Sequence, residues 1–171
     1  MKIWKTLVPA LLVFITHQAF AEVAPPLHDT HPDDATAGIP AAAVAAVAAV
    51  DRFTMALAKG DLEGARAELD PNVLILESGG AERSAAVYMG SHAMDDAAFL
   101  KTAHQRLLHR TAYASGDLAW VASESELQLQ QADKPVTLLS TETMVVQRST
   151  GVWKIVHIHW SSRRKAPGAD H

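Results

Sequence analysis

A chain of 171 residues, 49% of them hydrophobic, has the material for one domain with a real core. With 15 Lys and Arg against 19 Asp and Glu, a formal charge of −4 gives a nucleic-acid backbone little to hold. The lack of cysteine excludes disulfides and thiolate ligands.

At the N-terminus, Lys2 and Lys5 precede an apolar run from Thr6 to Ile15, and Ala19-Phe20-Ala21 supplies the small residues a signal peptidase reads. This predicts a signal peptide over 1–21, cleaved after Ala21. The apolar run is too short for the roughly 20 residues a membrane span requires. Loss of Lys2 and Lys5 would leave 13 basic against 19 acidic side chains, a formal charge of −6, on a soluble protein exported to a periplasm or secreted. Residues 22–39 are rich in proline and aspartate and predict a disordered leader. Within it His28-Asp29-Thr30-His31 offers nitrogen and oxygen to a stray metal ion, without the fixed geometry of a specific site.

Pro40 opens a helix that runs to Lys59, with an apolar stripe of Val44, Val47, Val50, Phe53, Thr54 and Leu57. Gly60 ends it, and Asp61 caps a second, shorter helix through Leu69, which Asp70-Pro71-Asn72 stops. Residues 73–77 form the first strand and Gly79-Gly80 its turn; Ala85 to Met89 predicts an extended segment. Ser91 is placed to cap a third helix from about Met94 to Leu108, with Phe99, Ala103 and Leu107 as the buried stripe. An antiparallel meander follows: strands near 110–114, 118–130 and 136–148, each ended by a turn, and a last strand after Gly151. The order predicts an α+β domain with helices on one face of a curved sheet.

The last strand is the richest stretch. Strict alternation places Trp153, Ile155, His157, His159 and Ser161 on one face and Lys154, Val156, Ile158 and Trp160 on the other, both largely apolar, so the strand belongs inside the sheet. Two histidines at i and i+2 are either part of a site or buried, hydrogen-bonded residues.

The Lys59-Gly60-Asp61-Leu62-Glu63 junction, the Ser115-Gly116-Asp117 turn, Glu142-Thr143-Met144 and the terminal Gly-x-Trp-Lys-Ile-Val-His-x-His-x-Ser pattern resemble the nuclear transport factor 2-like superfamily. Within it the chain is similar to secreted SnoaL-like proteins of unknown function and to the association domain of calcium/calmodulin-dependent protein kinase II. The resemblance covers about 40–164, leaving 165–171 as a tail. It implies a cone-shaped α+β fold, three helices in the N-terminal half packed on a strongly bent, mainly antiparallel sheet around a pocket, and a homodimer through the sheet's outer face. It further implies that Ser125, Met144 and Trp160 face the pocket at positions where the association domain carries arginines, with Glu142 and Ile158 also inward and His157 and His159 on the dimer side. The superfamily holds isomerases, dehydratases, hub domains and plain binding proteins, so activity does not follow from fold.

Three functions stay open. The first is binding of a small, partly apolar molecule, with Ser125, Met144, Ile158, Trp160 and Glu77 on the wall. The second is cofactor-free isomerisation, dehydration or hydrolysis. There Glu142, a carboxylate in an apolar cone, would act as general base, with Tyr88, His92 or His104 as donor. The third is a dimeric hub or metal-binding accessory protein. Glu77, His92, Asp95 or Asp96, His157 and His159 supply ligand atoms, although His104 and His109, five apart, do not form a helical pair. Glu124 and Glu126 alternate toward the outer face, where they could meet His157 or His159 across a dimer. Met89, Met94 and Phe99 read as core or lining; no cofactor is required.

Overall fold

The computed structural model describes residues 35–166 except 37, 132 and 133. The segment 1–21 expected to be a signal peptide, the His28 to His31 segment and residues 167–171 lie outside the described residues.

A 3-10 turn at Ala41–Ala43 leads into α1 (Val44–Lys59), followed by α2 (Leu62–Glu68), β1 (Leu69–Glu77), β2 (Gly80–Glu82), α3 (Ala85–Met89) and α4 (Ala93–Thr102). Four long strands complete the chain: β3 (His104–Ser115), β4 (Leu118–Gln131), β5 (Lys134–Ser149) and β6 (Val152–Arg164). The six strands form one mixed, curved sheet in the order β2-β1-β6-β5-β4-β3, with β1 and β6 parallel and the other pairs antiparallel. This is the expected α+β architecture, with four α-helices instead of three among the described residues.

The α1 stripe works through small residues. Ala46 and Ala49 are fully buried beside Val50, Phe53 and Leu57, which lets the helix lie close to Val73, Val121, Met144, Val146 and Ile155 on the sheet. Each of the larger side chains contributes about 1.5–3 kcal/mol by leaving water. Val44, assigned to this stripe from sequence, is 55% exposed, because the chain is still a 3-10 turn just before it and the α-helical phase starts there. At the other end Gly60 caps α1 in the left-handed region at φ 75°, and Asp61 accepts from the Gly64 amide at 2.8 Å, as anticipated.

Other boundaries differ from the sequence reading. Ala85–Met89 is helical, started by Ser84, whose hydroxyl accepts from the Val87 amide at 3.2 Å. The residue that begins α4 is His92, with no side-chain cap, while Ser91 donates back to the Val87 carbonyl. The helix stops at Thr102 and the chain turns straight into β3, so Ala103 and Leu107 belong to no helical stripe. Residues 70–72 enter β1 through a register irregularity between Leu69 and Leu74.

Strict alternation also fails in β6. Val145 pairs with His157 and Val146 with Ile155, so Val156 is a bulge that reverses the phase. Trp153 and Ile155 therefore share the inner, helix-covered face with Ile158 and Trp160, and His157 and His159 turn to the outer face. A second bulge, at Leu108 between β3 and β4, adds to the bend of the sheet. The segment drawn as leader reaches the fold before residue 40: Ala35 is buried and its carbonyl accepts from the Arg110 amide at 2.8 Å.

Candidate functional site

The concave face closes tightly under the first half of α1 and opens farther along. There a cavity of about 280 Å³ lies between α1, α4 and the inner face of β4, β5 and β6. Phe53 and Leu57 come from α1, Phe99 and Leu100 from α4, and Leu127 and Leu138 from β4 and β5. Small side chains at Ser140 and Ser162 leave the room that larger ones would fill. Three acids reach the same space: Glu77 at the end of β1, Asp96 on α4 and Glu142 on β5.

Glu142 stands directly across from Trp160 in the β5–β6 register, and the indole Nε1–H donates to its Oε2 at 2.8 Å. The Trp160 ring is fixed from two sides, stacked on Phe53 at 6.3 Å between centroids and inclined to Tyr88 at 6.2 Å. Burial pushes the Glu142 carboxyl above the ordinary glutamate range, and the Trp160 donor and the Arg110 charge offset only part of this. Arg110 is itself engaged, donating to Asp51 at 2.6 Å and to the Ser123 hydroxyl at 3.1 Å.

Across the cavity, the buried Tyr88 hydroxyl donates to Asp96 Oδ2 at 2.8 Å. Burial raises Asp96 above the usual aspartate range, and burial followed by the Asp96 charge does the same to Glu77. Tyr88 is held far above an ordinary phenol, first by burial and then by Asp96, so it stays a proton donor to that carboxylate. The site thus holds two carboxyls each oriented by a neutral donor, in a medium that disfavours their charge.

Of the residues singled out from sequence, Glu142, Trp160 and Glu77 line this cavity. Tyr88 stands behind it and touches it through Asp96. Met144 and Ile158 face inward but are fully buried under the helices. Ser125 is buried, with its hydroxyl accepting from the cavity residue Gln105 at 3.4 Å. His92 is exposed and bonded to Glu82, which raises its pKa, and His104 is exposed at the start of β3. On the outer face the His157 Nδ1–H donates to the Leu74 carbonyl at 2.9 Å, and His159 is exposed. Among the described residues no three His, Asp or Glu side chains converge as a metal site would need. Glu124 is exposed, whereas Glu126 is bound by Arg106 and Lys165, each at 2.8 Å, and not by a histidine. From sequence Asp96 reads only as a possible metal ligand, and Leu127, Leu138 and Ser140 carry no individual mark. Their inward alternation with Glu142 on paired strands was the available signal.

The profile of the SnoaL-like domain family matches residues 46–164. Comparison with curated protein sequences gives no match. Among solved structures, the chain is similar to a protein from Shewanella frigidimarina NCIMB 400 provisionally described as a ketosteroid isomerase. That pair shares 32% identity and a TM-score of 0.66, over 72% of this chain and 100% of the other. It shares its fold with the S. rosetta CaMKII hub (24% identity, TM-score 0.58, 70% and 95% of the two chains). A protein from Xanthomonas campestris, provisionally described as a calcium/calmodulin-dependent protein kinase II association domain, is alike in the same way (22%, 0.59, 78% and 95%). The sheet order, the cavity and these matches agree: the chain belongs to the SnoaL-like domain family and has the nuclear transport factor 2-like fold.

Proposed function

We propose that this protein is an exported homodimer that binds a small, partly apolar molecule in the cavity beside Glu142. The observation that carries the reading is the cavity itself: aromatic and leucine walls with a carboxyl fixed by Trp160 at one side is the composition of a ligand site. Export is supported by the charged start, apolar run and Ala19-Phe20-Ala21 site, and implies a mature chain beginning at Glu22. Dimerisation is supported by the outer sheet face, which leaves Tyr113, Leu118, Trp120 and Val152 from 38% to 55% exposed, with Tyr113 and Trp120 stacked across β3 and β4. Native mass spectrometry of the secreted protein tests all three parts. The expected species is a dimer of chains starting at Glu22 that carries a small molecule, lost when Ser140→Phe fills the cavity. A monomer starting at Met1 with no bound mass, and no stabilisation by any member of a fragment library, would refute the reading.

A second reading is proton transfer, favoured by the raised Glu142 carboxyl and by the likeness to the protein described as a ketosteroid isomerase. Glu142 would take a proton from the carbon next to the carbonyl and return it to the γ-carbon, two positions along, as the double bond moves into conjugation, with Asp96 as a second acid. Conversion of a β,γ-unsaturated ketosteroid to its conjugated isomer, followed by ultraviolet absorbance, tests it. The reading requires turnover that Glu142→Gln lowers by about 10²-fold or more; no turnover in the wild type rejects it.

A further inference from the structure

The cavity carries acids without a cation on its own wall. Glu77, Asp96 and Glu142 all reach it, and none of the fifteen residues around it is Arg, Lys or His. The basic groups that stand near are engaged by other acids: Arg110 by Asp51 at 2.6 Å, and His92 by Glu82. Glu142 and Asp96 are held by neutral donors, Glu142 by the Trp160 indole and the Ser123 hydroxyl and Asp96 by the Tyr88 hydroxyl. The same space offers the aromatic groups of Phe53, Phe99 and Trp160, whose ring faces attract positive charge.

Resting on the binding reading above, we infer that the guest is an organic cation, a protonated amine with an apolar or aromatic body, held by Glu142 and Asp96 against the Phe53–Trp160 stack. An anionic guest would meet three carboxyls and no counter-charge. A neutral guest would bring no charge to offset the three acids. An ammonium group supplies the missing counter-charge at a place where low dielectric strengthens the attraction. The leucine walls then take the apolar body.

Three near-isosteric probes test the inference by titration calorimetry at pH 7: 2-phenylethylamine, 2-phenylethanol and phenylacetate. The amine should bind at least tenfold more tightly than the alcohol, the scale of one charge-assisted hydrogen bond, and phenylacetate should give no heat. In Glu142→Gln the amine-to-alcohol ratio should fall by about tenfold, and in Asp96→Asn by a similar or smaller factor. Circular dichroism melts establish that each variant is folded, and the ratio between two ligands on one protein is insensitive to the fraction that is active. Equal binding of amine and alcohol, or a preference for phenylacetate, overturns the cationic guest while leaving the binding reading intact. Failure of all three at millimolar concentration also overturns it, and the binding reading then rests on the copurified molecule alone.

Discussion

Glu142 and Glu126 sit on neighbouring strands of one sheet, on its two opposite faces, and their surroundings push them in opposite directions. The Glu126 side chain is only 6% exposed, yet its carboxyl is held below the ordinary glutamate range, first by the hydrogen bond from Lys165 and then by that from Arg106. Glu142 is given a neutral indole donor, and burial dominates, so its carboxyl is held above that range. Glu126 lies under two cations at the outer surface of the sheet while Glu142 lies deeper beside neutral donors, so depth and the partner's charge together decide which carboxyl is held below the ordinary range and which above it. The outer acid ties the end of β6 to β4, with the Lys165 amide also bonded to the Thr137 carbonyl at 2.9 Å. The inner acid is left to the cavity.

The comparison breaks most severely at the donor. Trp160→Ala removes the ring between Phe53 and Tyr88 along with the indole hydrogen bond to Glu142, and should cost about 3 kcal/mol in urea unfolding. Trp160→Phe should recover most of that stability while leaving the Glu142 carboxyl still higher. Next comes Glu126→Gln, which takes the anion from between two cations and should cost about 1–2 kcal/mol at pH 7. Because the folded pKa of Glu126 is depressed, its contribution is complete above the unfolded glutamate value and is lost as pH falls through the folded one. The gap between wild type and Glu126→Gln should therefore narrow in acid.

Glu142→Gln should show the reverse sign. A carboxyl raised by folding favours the native state below the unfolded glutamate value, and that advantage disappears as pH rises through its folded value. The amide keeps an oxygen for Trp160 and sheds the charge, so Tm at pH 7 should rise by a few degrees, with the gain vanishing near the bottom of the glutamate range. The smallest effect calibrates the others. Asp117→Asn breaks the Arg148 pair, whose side chains are 44% and 67% exposed, and should move stability by less than about 0.5 kcal/mol.

Fold class and helix-sheet order were legible because α1, the Gly60-Asp61 junction and the meander turns carry strong local signals. The Thr150-Gly151 pair, with φ of 51° and 83°, forms the hairpin turn that a glycine before β6 announced. What escaped notice was long-range. The spacing of Phe99, Ala103 and Leu107 satisfies a helix, yet the chain leaves α4 at Thr102 because pairing with β4 claims the following residues from His104 on. The bulge at Val156 has no mark in a run of β-branched and aromatic residues, and it is what puts Trp160 beside Phe53 and sends the histidines outward. Glu142 could be chosen as a lone acid among strand residues. Glu77 could be placed on the same wall, whereas Asp96 could not, because it reaches the cavity from a helix that only tertiary packing brings there.

The most direct test is a carboxyl ¹³C NMR titration of the folded protein, with Glu142 and Glu126 assigned through their Gln variants. The account expects Glu142 to titrate above the ordinary glutamate range and Glu126 below it, in one experiment on one sheet. Both midpoints at the ordinary value, or Glu142 below Glu126, would contradict it.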